Sequence, residues 1–274
     1  MNDAAVGFQC PECIAEGRAT VRSPLTPMGG QPVRKATVTQ VLIGINLVVF
    51  VLELVAGLDV VISQWGMAPG AVSVGGEWWR LLTAAFLHGG FLHIAFNMYV
   101  LWIIGPQLES LFGHARYLVL YLLAALGGSV ASYTFGPVNS VSVGASGAIF
   151  GLMAALIVAG RSMRADVTQI VILLAINVVI GFLAPGIDWR AHLGGAVVGA
   201  VVAAIMAYAP KQSRTLWQTL GVLAVAGVLV AMLMVRTAWI NTQLATQLVP
   251  GLSSEAVHTS SPDRDNHTAV ITSV

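Results

Sequence analysis

A serine and a histidine in this chain could form the nucleophile and base of an acyl-transfer enzyme. Ser146 stands among small residues in Gly144-Ala-Ser-Gly147, and His192 stands in Trp189-Arg-Ala-His192. Small neighbours leave the serine hydroxyl accessible and let a second backbone approach closely. A serine becomes a useful nucleophile when an adjacent base accepts its proton, which a histidine can do. The two residues predict nucleophilic catalysis if the fold brings them together.

Two further polar residues could stabilise the negative charge that such a reaction creates. His93 and Asn97 are four residues apart, so on a helix they share one face. Both side chains carry N–H groups that can donate to an oxyanion, and the Ser146 backbone N–H at a helix start can do the same. These three donors are the candidate oxyanion hole.

Each of these residues alone has a simpler interpretation. Gly147 and Gly151 form a small-xxx-small pair, and serines beside such pairs mostly pack or bond back to their helix. A single histidine or asparagine in an apolar helix is usually structural. The soluble-hydrolase elbow is absent, because Ala148 stands where G-x-S-x-G needs glycine. Only the convergence of all four residues favours chemistry.

Composition places the chain in a membrane. Of its 274 residues, 57% are hydrophobic and 9% are charged, whereas soluble domains carry about 25% charged residues. The net charge of +1 and the lack of a basic patch argue against nucleic acid as a partner. We expect an all-α polytopic membrane protein.

The apolar stretches predict seven membrane-spanning helices, six in a core and one more at the C-terminal side (6+1). They cover residues 38–56, 91–110, 115–135, 144–160, 167–183, 189–209 and 216–235. The connection 57–90 is too apolar and aromatic for a free loop, so we expect it to lie in the membrane interface.

The same pattern divides the chain into four parts. They are a cytoplasmic N-terminal segment at 1–37, the six-helix core at 38–209, the extra helix at 210–236 and a disordered external tail at 237–274. The tail is assigned from its Ser, Thr, Asn and Asp content.

Orientation follows from the basic residues. Nine of the thirteen Lys and Arg fall on the side of the N-terminus, which the positive-inside rule places in the cytoplasm. The second, fourth and sixth spans then enter from the external face. Ser146, His192, His93 and Asn97 lie within about 5–10 Å of one depth, since a helix rises 1.5 Å per residue. Polar groups at that level should face the bundle interior or a water-filled cavity.

No carboxylate is placed to act as the third member of a triad. Glu53 lies in the first span without an obvious partner, and Asp188 is a poor orienter for His192. Loss of a productive aspartate costs serine proteases about 10⁴ in rate. We therefore expect a slow Ser–His dyad, oriented by helix packing through Gly147-xxx-Gly151 and Gly195-xxx-Gly199.

These motifs, in this order, resemble the rhomboid intramembrane serine proteases of bacteria, of an actinobacterial type. The resemblance covers roughly 38–209 and rests on Trp79-Arg80, His93-xxx-Asn97, Gly144-Ala-Ser-Gly147, and Ala191-His192 with Gly195-xxx-Gly199. It implies Ser146 as nucleophile, His192 as base, and His93 and Asn97 with the Ser146 amide as oxyanion hole. It also implies that Trp79-Arg80 positions the interfacial loop, although Trp79 could equally be an aromatic membrane anchor.

The resemblance also implies the setting of the reaction. The substrates would be single-span membrane proteins in the bacterial plasma membrane, cut near the outer boundary without a cofactor. Gly, Ala or Pro near the cut should be preferred, because Gly and Pro weaken a helix that otherwise shields its peptide bonds.

The remaining candidates receive the plainer interpretation. Cys10 and Cys13 resemble half of a small zinc finger, but a closed zinc site needs four ligands, so we expect two free thiols and no metal. His88 looks interfacial, and Phe150 looks like packing. Two other functions stay open: a rhomboid-fold protein that binds membrane helices without cutting them, and a small transporter. The position of the polar layer near one face disfavours the transporter.

Overall fold

The computed structural model describes residues 2–3, 8–20, 25–183 and 186–248. Two short strands, β1 (Asn2–Asp3) and β2 (Phe8–Gln9), pair antiparallel before the first helix. The first five helices are α1 (Pro11–Thr20), α2 (Thr37–Ala56), α3 (Leu58–Trp65), α4 (Pro69–Ser73) and α5 (Arg80–Thr83). They are followed by α6 (Phe91–Phe112), α7 (His114–Phe135), α8 (Ser146–Ser162), α9 (Thr168–Leu183), α10 (Trp189–Tyr208) and α11 (Arg214–Leu248).

Seven of these helices correspond to the seven predicted spans. Five, namely α2, α6, α7, α10 and α11, are long and apolar enough to cross a membrane, and α8 and α9 are shorter apolar helices. The predicted all-α membrane bundle is confirmed. Helices α7, α8 and α10 pack against one another most extensively and form its centre.

The last helix is longer than predicted. The sequence predicts a span that ends at residue 235 and a disordered tail from residue 237, whereas α11 continues to Leu248. Contacts across the bundle explain the difference: the Arg236 guanidinium donates to the Gly136 carbonyl at 3.1 Å, and Thr237 hydrogen-bonds the Tyr133 hydroxyl at 2.5 Å. Ile240 is also buried. The part of the predicted tail after Leu248 lies outside the described residues.

The connection 57–90 is folded, with its short helices and a 3₁₀ turn at Ala84–Phe86. Arg80 is only 6% exposed and donates to the carbonyls of Ser63 at 2.8 Å and Gly66 at 3.0 Å, beside its ion pair with Glu77. The carbonyls at the end of α3 have no partner within the helix, and the guanidinium supplies one. Arg80 therefore ties α3 to α5.

A second buried charged residue, Glu109, lies at the end of the bundle opposite to Ser146. Glu109, near the end of α6, is fully buried and accepts from the backbone N–H groups of Val38 and Thr39, both at 2.9 Å. It also contacts His114 Nδ1 at 2.5 Å. A carboxylate suits the unpaired N–H groups and positive dipole end of α2. Glu109 thus joins α6 to the first turn of α2.

Glycines set the spacing of α8 and α10. A Cβ added at Gly195 would lie 2.0 Å from the Gly147 carbonyl oxygen, and one at Gly199 would lie 2.3 Å from the Gly151 carbonyl oxygen. No side chain fits between these backbones. The backbones of α8 and α10 are therefore in direct contact at these glycines. The sequence predicts this contact from Gly147-xxx-Gly151 and Gly195-xxx-Gly199.

Helix α7 joins this contact through Gly128, which is not part of the motifs described above. A Cβ added at Gly128 would lie 2.8 Å from the Ala191 carbonyl oxygen and 3.3 Å from the Gly147 Cα. The three central helices therefore meet backbone to backbone at the level of Ser146.

The expectation of two free thiols is wrong. Cys10 and Cys13 form a disulfide, with their Cα atoms 5.3 Å apart, inside the range that a disulfide spans. The turn that starts α1 at Pro11 brings the two sulfurs together, and the Cys13 N–H faces the Cys10 sulfur at 3.0 Å.

Because the glycine contact leaves no room for a side chain, Gly195→Ala should force α8 and α10 apart. We expect it to lower the free energy of unfolding by about 1–3 kcal/mol or more. Gly44→Ala is the matched control, since nothing lies within 4 Å of a Cβ there, and it should be neutral or slightly stabilising. Unfolding in mixed detergent measures both. Equal stability of the two variants would contradict the close contact.

Candidate active site

The structure brings Ser146 and His192 together. Ser146 is the first residue of α8, His192 lies in the first turn of α10, and the Ser146 Oγ is 2.8 Å from His192 Nε2. That is a normal hydrogen-bond distance, and the hydroxyl can donate to a ring nitrogen that carries no proton. The pair has the geometry of a nucleophile with its general base.

Two neighbours fix the plane of the His192 ring. Phe150, one turn further along α8, stacks on the imidazole with ring centroids 4.1 Å apart and an interplanar angle of 11°. On α9, a Cβ added at Gly181 would lie 3.2 Å from His192 Nδ1, so a side chain there would press on the ring. Nδ1 is buried and has no hydrogen-bond partner among the described residues. Packing rather than a carboxylate therefore holds the ring.

Asp188 has a different task from a triad aspartate. It is the N-cap of α10, and its Oδ1 accepts from the backbone N–H groups of Arg190 at 3.2 Å and Ala191 at 3.4 Å. Its Oδ2 accepts a hydrogen bond from the Ser132 hydroxyl on α7. Asp188 thereby anchors the start of the helix that carries His192, without bonding to the imidazole.

His93 lies beside the serine, with its nitrogens in distinct roles. The Gly89 N–H donates to His93 Nδ1 at 3.3 Å, which favours the neutral tautomer that carries its proton on Nε2. The Nε2 edge faces Gly144, where an added Cβ would lie 2.8 Å from Nε2 and 3.4 Å from the Ser146 Oγ. Gly144 has φ 131°, so only glycine suits this position by space and by backbone.

Asn97 lies one turn below His93 on α6. It is 6% exposed, and its Nδ2 donates to the His93 carbonyl at 2.8 Å, which leaves its second N–H free to donate elsewhere. The Ser146 N–H has no intrahelical partner, because α8 begins at this residue.

These groups line a single cavity of about 670 Å³. Ser146, His192, His93 and Asn97 all border it, together with apolar side chains such as Ile149 and Met153. The cavity could hold an extended peptide segment, with its carbonyl carbon near the serine and its oxygen near the N–H groups. The arrangement suits acyl transfer through an oxyanion.

Trp79 and Arg80 lie outside this cavity. The Trp79 side chain is 51% exposed, whereas Arg80 is buried and bonded as described above. The loop that Arg80 holds nevertheless contacts the site, since the Ala84 carbonyl accepts from the Gly144 N–H at 2.8 Å. Met67 and Ser142 also donate their backbone N–H groups to each other's carbonyls, which joins the connection 57–90 to the loop before α8.

Sequence reasoning missed three contributors. The sequence indicates only packing for Phe150, although its place one turn after Ser146 is compatible with a contact to the base. Gly181 gave no usable signal, because only the fold brings it near His192. Gly89 lies four residues before His93, but its hydrogen bond depends on a turn that a single glycine does not predict.

Comparison with known proteins identifies the family of the chain. The Rhomboid domain family matches residues 75–209. The putative rhomboid protease YdcA of Bacillus subtilis is 35% identical over 144 residues, which are 51% of this chain and 72% of that protein.

Two further relatives are longer than the matched region. Rhomboid protease GluP of Bacillus subtilis is 37% identical over 180 residues, covering 63% of this chain and 35% of that protein. The mitochondrial RHOMBOID-like protein 6 of Arabidopsis thaliana is 38% identical over 144 residues, covering 50% of this chain and 46% of that protein. The chain thus spans less than half the length of these two relatives.

The ring stack predicts that Phe150→Leu slows labelling of Ser146 by a fluorophosphonate about tenfold, because a mobile imidazole is a poorer base. Phe150→Tyr keeps a flat ring and should label within about threefold of the wild type, since ring stacking is retained. Labelling rates in detergent measure both. If Leu and Tyr behave alike, the stack does not position the base.

The cap assignment predicts a mild effect for Asp188→Asn. Asparagine caps helices as well as aspartate does, so the labelling rate should fall less than about tenfold, whereas the same change in a triad costs about 10⁴. Asp188→Ala should lower thermal stability more than Asp188→Asn. A loss of several thousandfold in the Asn variant would instead make Asp188 a triad member.

Proposed function

Because this chain belongs to the rhomboid family, we propose that it is an intramembrane serine endopeptidase. The observation that carries the proposal is the 2.8 Å contact between the Ser146 Oγ and His192 Nε2 inside the cavity. The chain is a multi-pass membrane protein, so the reaction would take place among its apolar helices.

In the proposed first step, the Ser146 Oγ attacks the carbonyl carbon of the scissile peptide bond. Its proton passes to His192 Nε2, which becomes imidazolium. The carbonyl oxygen becomes an oxyanion that accepts from the His93 Nε2–H, the Asn97 amide and the Ser146 N–H. The C–N bond then breaks, His192 gives its proton to the leaving amine, and an acyl-enzyme remains.

In the second step, water replaces the amine. His192 accepts a proton from the water as it attacks the ester carbonyl, the same donors hold the second oxyanion, and Ser146 leaves with the proton from His192. The polypeptide ends as a new amine and a new carboxylate. No metal or cofactor is needed, because every proton passes between substrate, water and the two named side chains.

The substrates that suit this site are single-span membrane proteins. A helical peptide bond is hydrogen-bonded and shielded, so the segment must unwind before its carbonyl can reach Ser146. Glycine and proline lower the cost of unwinding. The excess of Lys and Arg on the N-terminal side supports a cytoplasmic N-terminus in the bacterial plasma membrane, with the cut near the outer boundary.

The proposal is tested by reconstituting the full chain with a synthetic single-span protein that carries Gly, Ala and Pro near its outer boundary. We expect cleavage by the wild type, and none by Ser146→Ala or His192→Ala, since the serine needs its base. Ser129→Ala is the matched control, because Ser129 borders the same cavity without a hydrogen bond to a histidine. Mass spectrometry of the products locates the cut.

Two results would contradict the proposal. Cleavage that survives in Ser146→Ala would require another nucleophile. Specific binding of the single-span protein without cleavage, in a folded wild type, would favour a protein that holds membrane helices and does not cut them.

A further inference from the structure

Glu53, like Glu109, is a carboxyl group buried in the bundle without a role in the proposed reaction. Glu53 lies in α2, one turn from its end, and is fully buried. An ionisable group inside a membrane helix is costly, and an apolar residue would be the cheaper choice at a site that only packs. The contacts of Glu53 indicate why a carboxyl group is present.

Both oxygens of Glu53 point at one donor. The His88 backbone N–H lies 3.0 Å from Oε1 and 3.2 Å from Oε2. His88 belongs to the turn that connects the 3₁₀ helix at Ala84–Phe86 to α6. The carboxyl group therefore anchors this turn to α2, and it corrects the expectation that Glu53 lacks a partner.

The His88 side chain does not act as a counter-charge for Glu53. Burial, together with the neighbouring His93, lowers the pKa of His88 to about 3, so its ring is neutral at physiological pH. The ring is fully buried, and among the described residues neither nitrogen makes a hydrogen bond of good geometry; a weak interaction with the Phe86 backbone only partly offsets the fall in pKa. Its contacts are edge-on ring packing against Phe50, with centroids 6.5 Å apart, and against His93 at 5.1 Å. His88 is thus a rigid spacer rather than an ion.

The anchored turn ends at the candidate oxyanion donor. Gly89, the residue after His88, donates its N–H to His93 Nδ1. Gly90 follows with φ 153° as the N-cap of α6, so the path of the backbone here depends on glycine. Displacement of the 88–89 peptide would remove the bond that keeps the His93 proton on Nε2, the nitrogen that faces Gly144 and Ser146.

We infer that Glu53 is a positioning residue for His93, acting through the His88-Gly89 turn to orient its Nε2–H toward the oxyanion. This inference rests on the proposed function, since it assigns Glu53 to the same site. A hydrogen-bond acceptor at position 53 is required, while the negative charge is secondary, because the partner is a single neutral N–H group.

A double-mutant cycle on the full chain in detergent tests the inference, with the rate of Ser146 labelling by a fluorophosphonate as the readout. Glu53→Leu should slow labelling by about tenfold or more, a fraction of the 10²–10³ that loss of an oxyanion donor costs. Glu53→Gln keeps an acceptor and should label within about threefold of the wild type. In a His93→Ala background, Glu53→Leu should cost less than about twofold, since the two residues act in series.

The matched control is Glu109→Gln, which alters the other fully buried glutamate in the described part of the chain. It lies at the far end of the bundle, so it should lower thermal stability and leave the labelling rate unchanged. If Glu53→Leu slows labelling equally with and without His93, or does not slow it, Glu53 has a structural role only and the inference is overturned.

A second measurement does not depend on the Leu variant folding. The ¹⁵N NMR spectrum of histidine-labelled protein, with His93→Ala to assign the ring, reports which nitrogen carries the proton. An unprotonated Nδ1 supports the hydrogen bond from Gly89 on which the inference depends, and a protonated Nδ1 overturns the inference. Absence of labelling in a folded wild type would instead remove the proposed enzyme activity, and the NMR result would still report on the turn.

Discussion

The backbone contact between α8 and α10 is the constraint on which the rest of the structure depends. Ser146 and His192 come from helices separated by α9, and only a fixed helix spacing can hold their side chains 2.8 Å apart. Gly147 against Gly195, and Gly151 against Gly199, set that spacing with no side chain between the backbones. Close approach of this kind is how helices gain packing energy in lipid, where no hydrophobic driving force joins them. The geometry of the dyad is thus a consequence of helix packing.

Polar side chains buried in the bundle form hydrogen bonds with the unpaired backbone groups at the ends of its helices. Arg80 pairs the carbonyls at the end of α3, Glu109 pairs the N–H groups at the start of α2, and Asp188 caps α10. In an apolar environment an unpaired backbone group costs several kcal/mol, on the order of a lost hydrogen bond or more. Each of these residues therefore stabilises a junction, and the junction at Asp188 borders the cavity. Rigid surroundings replace the carboxylate that a triad would use to orient its histidine.

The main elements of the fold could be predicted from sequence, since long apolar stretches mark spans and their ends set the depth of polar residues. That reasoning placed Ser146, His192, His93 and Asn97 in one layer, where the structure has them. It failed where a residue acts through a partner distant in sequence. Glu53 meets a backbone N–H thirty-five positions away, and the stack of Phe150 on His192 depends on the helix crossing. The continuation of α11 past Val235 was missed because polar residues there suggested a tail, while contacts with α7 stabilise the helix.

The proposed activity requires that the bundle present an activated serine to an oxyanion pocket among its apolar helices. The structure of the chain after reaction with a peptide phosphonate tests it most directly. We predict a covalent bond between phosphorus and the Ser146 Oγ, with one phosphonyl oxygen within hydrogen-bond distance of His93 Nε2 and the Asn97 amide. An adduct on another residue, or a phosphonyl oxygen turned away from both donors, would contradict the account.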